Sequence, residues 1–310
     1  MKRHPDPVTV GLVLGFLADR ALGDPRRFHP VAGFGQVAAR VERTLHAPSR
    51  SRGALAVGAL VTTTVGLGLL ERRLPPVARV AVATIATWAV LGVRSLDREG
   101  EAITTLLAAD DLAGARTRIR NLVGRDPSGL DGVGIARACV ESIAENSADA
   151  VVAPLFWGAV AGVPGLLGYR AINTLDAMWG HRNERYREFG WAAARLDDVA
   201  NWLPARATVA MNAALVGPGR AAEVIRVVRR DAPAHPSPNA GPVEASWATA
   251  LGVRLGGTNH YDGVDENRGH LGDGPAVTVA DIPRATEHLR RLSTAALVAV
   301  VSARGIAHRR

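Results

Sequence analysis

A single cysteine, Cys139, is present in the chain. An internal disulfide is therefore excluded, and no Cys/His cluster has the spacing of a structural zinc site. Aromatic residues make up only 5% of the sequence. The apolar share is mostly Ala, Val and Leu, a composition that suits helices better than a β-sandwich. Lysine is almost absent: Lys2 is the only one, so the net charge of +8 is carried by arginine. Basic chains bind nucleic acid or anionic membranes. No basic run is interleaved with aromatics here, so no nucleic-acid partner is expected. The GxxxxGK[ST] phosphate loop, the GxGxxG turn, the GxSxG elbow and the HExxH pair are all missing, so any nucleotide is held by another arrangement. Nor is there an internal repeat. The start of the chain imitates a secretory signal, yet Asp19 and Arg20 stand where small cleavage-site residues belong, and the segment is read as retained.

What is present is apolar length. With 47% apolar and 21% charged residues in 310, the chain is neither disordered nor fibrous. It has room for two ordinary domains or for one membrane-embedded body with polar loops. Residues 53 to 70, GALAVGALVTTTVGLGLL, carry no charge and reach about 27 Å as a helix, enough to cross the hydrocarbon core. Residues 80 to 93 follow a short break containing Pro75 and Pro76. The pair reads as a helical hairpin across the bilayer, with a buried soluble hairpin as the alternative. Residues 150 to 169 are uncharged but interrupted by Pro154, Pro164 and several glycines, as expected of a broken or re-entrant element beside a site. Runs at 8 to 18, 207 to 219 and 292 to 303 are either oblique spans or packed amphipathic helices.

Arginines crowd residues 20 to 52 and thin out after the first strong span, which puts the former on the cytoplasmic side. The same rule is satisfied if 150 to 169 does not cross completely, because the Arg-rich stretch after it then stays inside. Mean hydropathy is only +0.07, so much of the chain lies outside lipid. The expected fold class is all-α. It is a polytopic membrane helical bundle forming a single catalytic domain over residues 1 to 310, with polar cytoplasmic-side segments at 20 to 52, 94 to 149, 170 to 206 and 220 to 291. The least structured stretches are expected near 44 to 53 and 262 to 276.

In GIARACVESIAENSADAVV, at 134 to 152, Glu141, Glu145 and Asp149 recur at i, i+4 and i+8. Four residues turn a helix by about 400°, so the three line one face. Their mutual repulsion calls for a cation. Arg137 can supply it as a surface ion pair, or Mg²⁺ can do so at an active site. Asn146 beside Glu145, and the approach to an uncharged broken segment, favour function. Next, Asn173, Asp176, His181 and Arg182 crowd one stretch. Asp197, Asp198 and Asn201 follow on a helix that Pro204 is expected to end or kink. Such a set holds a metal or orients phosphate through arginine. Capping and surface pairing with Arg185, Arg187 or Arg195 is the plainer alternative. Two Pro- and Gly-rich loops complete the polar inventory. One carries Asp24 and His29; the other carries His235, Ser237, Asn239, Glu244, Gly256, Gly257, Asn259 and Tyr261. Such loops either cap a fold or present N–H groups to an anion.

These pieces together resemble the CobD/CbiB family of cobalamin biosynthesis, the adenosylcobinamide-phosphate synthases. The matching text is GDPRRFHPV at 23 to 31, ESIAENSADAVVAPLFW at 141 to 157, INTLDAMWGHRNERYREFG at 172 to 190, AARLDDVANWLPAR at 193 to 206, SPNAGPVEA at 237 to 245 and LGGTNHY at 255 to 261. Departures from the family pattern fall at Ala150, at His181 and at Ser246-Trp247, and bear on local packing. The resemblance implies a multi-pass enzyme of the inner cell membrane with its active site facing the cytoplasm. Its ATP- and Mg²⁺-dependent reaction joins a propionate carboxyl of adenosylcobyric acid to (R)-1-amino-2-propanol or its O-phosphate. Contacts with other corrinoid-pathway enzymes are a further expectation.

On that basis Glu141, Glu145 and Asp149 are expected to handle metal and phosphate, with Asn146 orienting. Asp176, Asp197 and Asp198 form a second acidic set, for another Mg²⁺ or for the substrate amine. Arg182 is assigned to phosphate, and Asp24 with His29 to proton transfer or to corrin side-chain amides. Asn173, Asn201, Ser237, Asn239, Asn259 and Tyr261 are expected to contact substrate. A non-catalytic membrane partner or regulator of corrinoid assembly, and a membrane phosphotransferase built on the same acidic helix, are the competing readings.

Overall fold

The structure, a computed structural model, describes residues 6–24, 29–124, 126–181, 183–261 and 264–307, with only the backbone described at 259–261 and 264–266. Arg182, expected at the site, lies outside the described residues. The chain is predominantly helical, as expected, and forms two compact units. One comprises Met1–Gly92, Asp149–Asn201 and Ala296–Arg310; the other comprises Val93–Ala148 and Trp202–Ala295.

In the first unit, helices α1 (Pro7–Leu22), α2 (Pro30–Leu45) and α3 (Arg50–Leu69) each start at a polar cap. Asp6 accepts from Thr9 N, His29 from Val31 N and Ser49 from Arg52 N, satisfying amides that a helix leaves open. The stretch 44 to 53, expected to be loose, is therefore corrected: Ser49 nucleates α3 at Arg50. Helix α4 (Pro76–Val90) lies against α1, where Gly11 and Gly15 let the backbones close onto Ala83 and Thr87; a methyl group at either glycine would collide. Helix α3 with the 3₁₀ turn after it, Arg50–Arg73, and the stretch Pro76–Ala108 are long and apolar enough to cross a membrane. Only 22% of the apolar window of Arg50–Arg73 is buried in the protein. Leu55 and Leu67 point outward at 63% and 61% exposure.

The broken element expected at 150 to 169 is present. A π-helical turn, Ala148–Val152, leads into a short α-helix, Ala153–Ala161. Gly162 breaks it with φ of 71° before a longer helix, Val163–Trp179. The core of this unit gathers Ala56, Val57, Leu60, Leu175, Trp179 and Phe189. Deep inside it Glu42 accepts from Trp179 Nε1 at 3.1 Å, Tyr186 Oη at 2.9 Å and Arg185 Nη2 at 2.8 Å. Burial raises its pKa, but the three hydrogen bonds and the Arg185 charge outweigh burial and hold it below 4.5. Near the chain end Arg304 clasps Asp6 at 2.6 Å and Ala159 O at 2.6 Å.

The second unit begins with α5 (Val93–Ala108) and α6 (Leu112–Ile119), continues with α7 (Gly132–Ser147), and includes α11 (Pro218–Asp231) and α12 (Ala240–Leu251); in chain order Ala153–Ala161 is α8, Val163–Trp179 is α9, Trp191–Leu215 is α10 and Asp281–Ala307 is α13. Pro204 does not end α10, contrary to one of the two expected outcomes; the helix runs on to Leu215. Buried Asp97 of α5 takes two bonds from Arg290 Nε, at 2.8 and 3.1 Å. The departures Ser246-Trp247 are well accommodated. Trp247 Nε1 donates to Ser147 Oγ at 3.0 Å, and Ser246 Oγ accepts from Asn212 Nδ2 at 2.8 Å.

One β-hairpin was not expected: β1 (Leu255–Tyr261) pairs antiparallel with β2 (Val264–Leu271). Within the stretch 262 to 276, expected to be loose, Val264–Leu271 is therefore a strand, while residues 262 and 263 lie outside the described residues. Gly256 and Gly257, at φ of 78° and 94°, stand in the left-handed region at the register shift between Gly256 and Thr258, where side chains are strained.

Candidate functional site

The acidic residues fall into two groups, one in each unit. In the first unit the group is built on α9 and the early turns of α10. Asn173 and Asp176 project from α9, and Asp197, Asp198 and Asn201 from α10. Asp197 Oδ2 accepts from Asn201 Nδ2 at 2.9 Å, and its Oδ1 accepts from Asn173 Nδ2 at 3.5 Å. Asn201, 2% exposed, has its Oδ1 engaged by Tyr169 Oη at 2.9 Å; the same hydroxyl lies 3.2 Å from Asp149 O. Gly180 lies under Asp176, and a methyl group there would strike the carboxylate.

Asp197 has no basic side chain within ion-pair distance among the described residues. Burial, then the Asp176 charge, raise its pKa to about 7; the two amide bonds pull the other way, and Asp198 adds repulsion. A carboxyl that ionises near neutral pH suits proton transfer. Asp198 is the surface member, 3.5 Å from Arg195. That contact is the capping-and-pairing alternative realised for one residue of the set. Asp24 lies 4.0 Å from His29 Nε2, while His29 Nδ1 accepts from Val31 N at 3.2 Å, leaving the proton on Nε2. His181 is exposed and tilts against the Tyr186 ring, 6.2 Å between centroids.

In the second unit Glu141 and Glu145 project from α7. Glu141 Oε1 accepts from Gly256 N at 2.8 Å, and Arg137, one turn earlier, brings Nε within 3.8 Å. Arg137 also donates to Gly256 O and Thr258 O, clamping β1. Glu145 is half-buried. Burial raises its pKa, Arg268 opposes the shift and Glu141 adds to it. Asn146 is tied to its own helix through Ser142 O at 2.9 Å. Ser237 Oγ accepts from Ala240 N at 3.1 Å at the start of α12, and Asn239 Oδ1 accepts from Arg206 Nη1 at 2.7 Å. Asn259 and Tyr261 lie on β1, their side chains outside the description.

Asp149 sits in the π-helical turn, past the end of α7. The even α-helical count that placed it on one face with Glu141 and Glu145 therefore stops at Ser147, because a π turn holds more residues than an α turn. Among the described residues no group of three or more His, Cys, Asp or Glu side chains could hold a metal ion. A magnesium ion carried on ATP asks less: one or two carboxylates, with phosphate oxygens and water filling the other places. Glu145, half-buried one turn from buried Glu141, fits that smaller demand. Sequence reasoning missed Tyr169 and Arg170, which bound the uncharged run; the one signal was a guanidinium placed at the end of an otherwise neutral, interrupted segment.

A mostly helical protein with two helices fit to cross a membrane and a partly buried acidic group in each unit is the class that fold and site define. The model of the CobD/Cbib protein family matches residues 12–289, and the chain belongs to that family. It is 50% identical over 299 residues to the cobalamin biosynthesis protein CobD of Mycobacterium tuberculosis (strain ATCC 25618 / H37Rv), covering 94% of each chain. It is 45% identical over 290 residues to that of Chromobacterium violaceum, covering 90% of this chain and 91% of the relative. A Rhodobacter capsulatus protein of the same name is 45% identical over 291 residues, covering 90% of this chain and 92% of the relative. No solved structure matches the chain.

Proposed function

We propose that the chain is an ATP-dependent amide ligase of cobalamin biosynthesis, joining a propionate carboxyl of adenosylcobyric acid to (R)-1-amino-2-propanol or its O-phosphate. The observation that carries this reading is the match, over nine-tenths of the chain or more, to relatives named cobalamin biosynthesis protein CobD. The acidic centres support the chemistry.

A carboxylate does not react with an amine at neutral pH, so its oxygen first takes the γ-phosphoryl group of ATP, giving an acyl phosphate and ADP. The ammonium of the second substrate gives up one proton to become the free amine, whose nitrogen attacks the carbonyl carbon; its second proton leaves with the expelled phosphate. Asp197, with its pKa near 7, receives the first of these protons, and Asp176 and Asp198 attract the ammonium form of the amine before it is deprotonated. Glu141, Glu145 and Asp149 are the proposed residues for metal and phosphate, one or two per ion. Magnesium, when bound with ATP, neutralises charge on the phosphate oxygens. Asp24 and His29 are proposed for corrin side-chain amides or proton transfer.

The apolar surface of α3 and α4, with Val77 82% and Ile85 57% exposed, supports a multi-pass protein of the cell membrane with the arginine-rich segments in the cytoplasm. Cysteine labelling of intact cells tests this: Leu74→Cys, in the turn between α3 and α4, is expected to react from outside, and Ser128→Cys only after permeabilisation. The reaction is tested by ADP release that needs adenosylcobyric acid and the amine together. Corrinoid binding without ADP release would instead establish the non-catalytic partner.

A further inference from the structure

Arg170 of α9 is half-buried in the first unit, and its Nε is closed off from solvent with no hydrogen-bond partner among the described residues. Its one side-chain hydrogen bond there runs from Nη1 to Asn173 Oδ1 at a long 3.4 Å. No carboxylate among the described residues comes within 4.0 Å. Asp24 and Asp149 act on the guanidinium only through longer-range attraction. A buried donor left unmade costs about 1–3 kcal/mol, and more when charged, so a guanidinium in this state is matched to a group that arrives from outside. Its planar fork of donors fits the oxygens of a phosphate.

The surroundings narrow the class of phosphate. Asn173 accepts from Arg170 and donates to Asp197 at 3.5 Å, so one amide separates the cation from the Asp197–Asp176–Asp198 set. The carboxylates would repel a plain polyphosphate. A small molecule carrying a phosphate at one end and an ammonium at the other satisfies both poles at once.

We propose that Arg170 is the phosphate receptor for the amine substrate, and that it makes the enzyme prefer the amino-alcohol O-phosphate over the free amino alcohol. This rests on the ligase reading above and adds a specificity residue to it. The test uses full-length protein in detergent, with Arg170→Met and Arg170→Lys as variants. With Arg170→Met, KM for aminopropanol O-phosphate is expected to rise roughly 10–100-fold, the loss of one or two charge-assisted hydrogen bonds. KM for aminopropanol and for ATP should stay within about twofold of wild type, and Arg170→Lys should recover part of the loss. Equal KM shifts for both amines, or a shift confined to ATP or to adenosylcobyric acid, would overturn the proposal.

Calorimetric titration with the two amines, without nucleotide or corrinoid, separates this from the ligase reading. If wild-type protein releases no ADP, the reaction assignment fails on its own. The receptor assignment stands if O-phosphate is bound more tightly than the free amine by wild type and equally by Arg170→Met. It falls if wild type shows no preference or if Arg170→Met keeps it. Should the methionine variant fail to fold, weaker O-phosphate binding by Arg170→Lys supports the assignment, and unchanged binding refutes it.

Discussion

Buried Glu141 and half-buried Asp197 are both acids on helices of one small chain, and their surroundings treat them in opposite ways. Glu141 meets a backbone N–H from Gly256 and the guanidinium of Arg137. Its charge is compensated by groups that belong to the fold. Asp197 meets two neutral amides, and the charges that face it most closely are carboxylates. Desolvation without a cation leaves it about half ionised at pH 7, whereas a fixed positive charge would hold it ionised. A charge already answered by the protein holds structure together, while an unanswered one is available to exchange protons or to receive a cationic ligand. Glu42 shows that the difference is not a matter of which unit a residue occupies, because it lies in the same unit as Asp197 and is fully engaged by Trp179, Tyr186 and Arg185.

The largest effect expected from breaking this contrast is at Asp197. Asp197→Asn should lower kcat by ~10²–10⁴-fold, the usual contribution of a positioned proton acceptor. In wild type, kcat/KM should rise with pH through about 7 and then level off, because only the ionised carboxylate accepts a proton and burial has raised its pKa to that value. The asparagine variant should lack this limb, and a pH profile of ADP release measures it. An unchanged limb would assign the titration to another group.

A smaller effect is expected from comparing the two glutamates of α7. Glu145→Gln should reduce turnover ~10–100-fold, on the scale of a disturbed metal environment. Glu141→Gln, which keeps an oxygen for Gly256 N, should do less. The reverse ranking in folded proteins would mean that Glu141, although held by Arg137 and Gly256, carries more of the metal and phosphate handling than Glu145. Near-normal rates for both Glu145→Gln and Asp149→Asn would reject their assignment to metal and phosphate.

The smallest effect on catalysis, though a clear one on stability, belongs to Glu42. Glu42→Ala should destabilise the protein by about 2 kcal/mol, since Trp179 Nε1 and Tyr186 Oη lose their acceptor inside the core. Denaturant unfolding measures it. The folded-state pKa is held below the ordinary 4.5, so this stabilisation is complete above that pH and fades as acid protonates the carboxylate. The alanine variant should lose that part of the acid sensitivity.

Much of the helical frame was legible in the residues: the uncharged run at 53 to 70, the proline pair before α4, and the interrupted stretch at 150 to 169 became a helix, a second helix and a broken element. The hairpin was not. LGGTNHY reads as loop because glycines lead it; only pairing with Val264–Leu271 makes it a strand, and pairing is non-local. Of the two outcomes expected at Pro204, an end of the helix did not occur: the missing N–H leaves Ala200 O without its helical donor, and Trp157 Nε1 supplies one at 3.0 Å.

At the sites, residue types were readable and their states were not. Spacing along the chain determined that Glu141 and Glu145 share a face of one helix and that Asn201 stands one turn from Asp197, because helical geometry repeats without reference to anything else. Tertiary structure alone decided that Asp149 falls within a π turn, that Gly256 answers Glu141, that Asp197 is left among acids and that the Nε of Arg170 finds no acceptor among the described residues. Ionisation and hydrogen bonding depend on which distant segments displace water from a group, and that is settled only when the chain has folded.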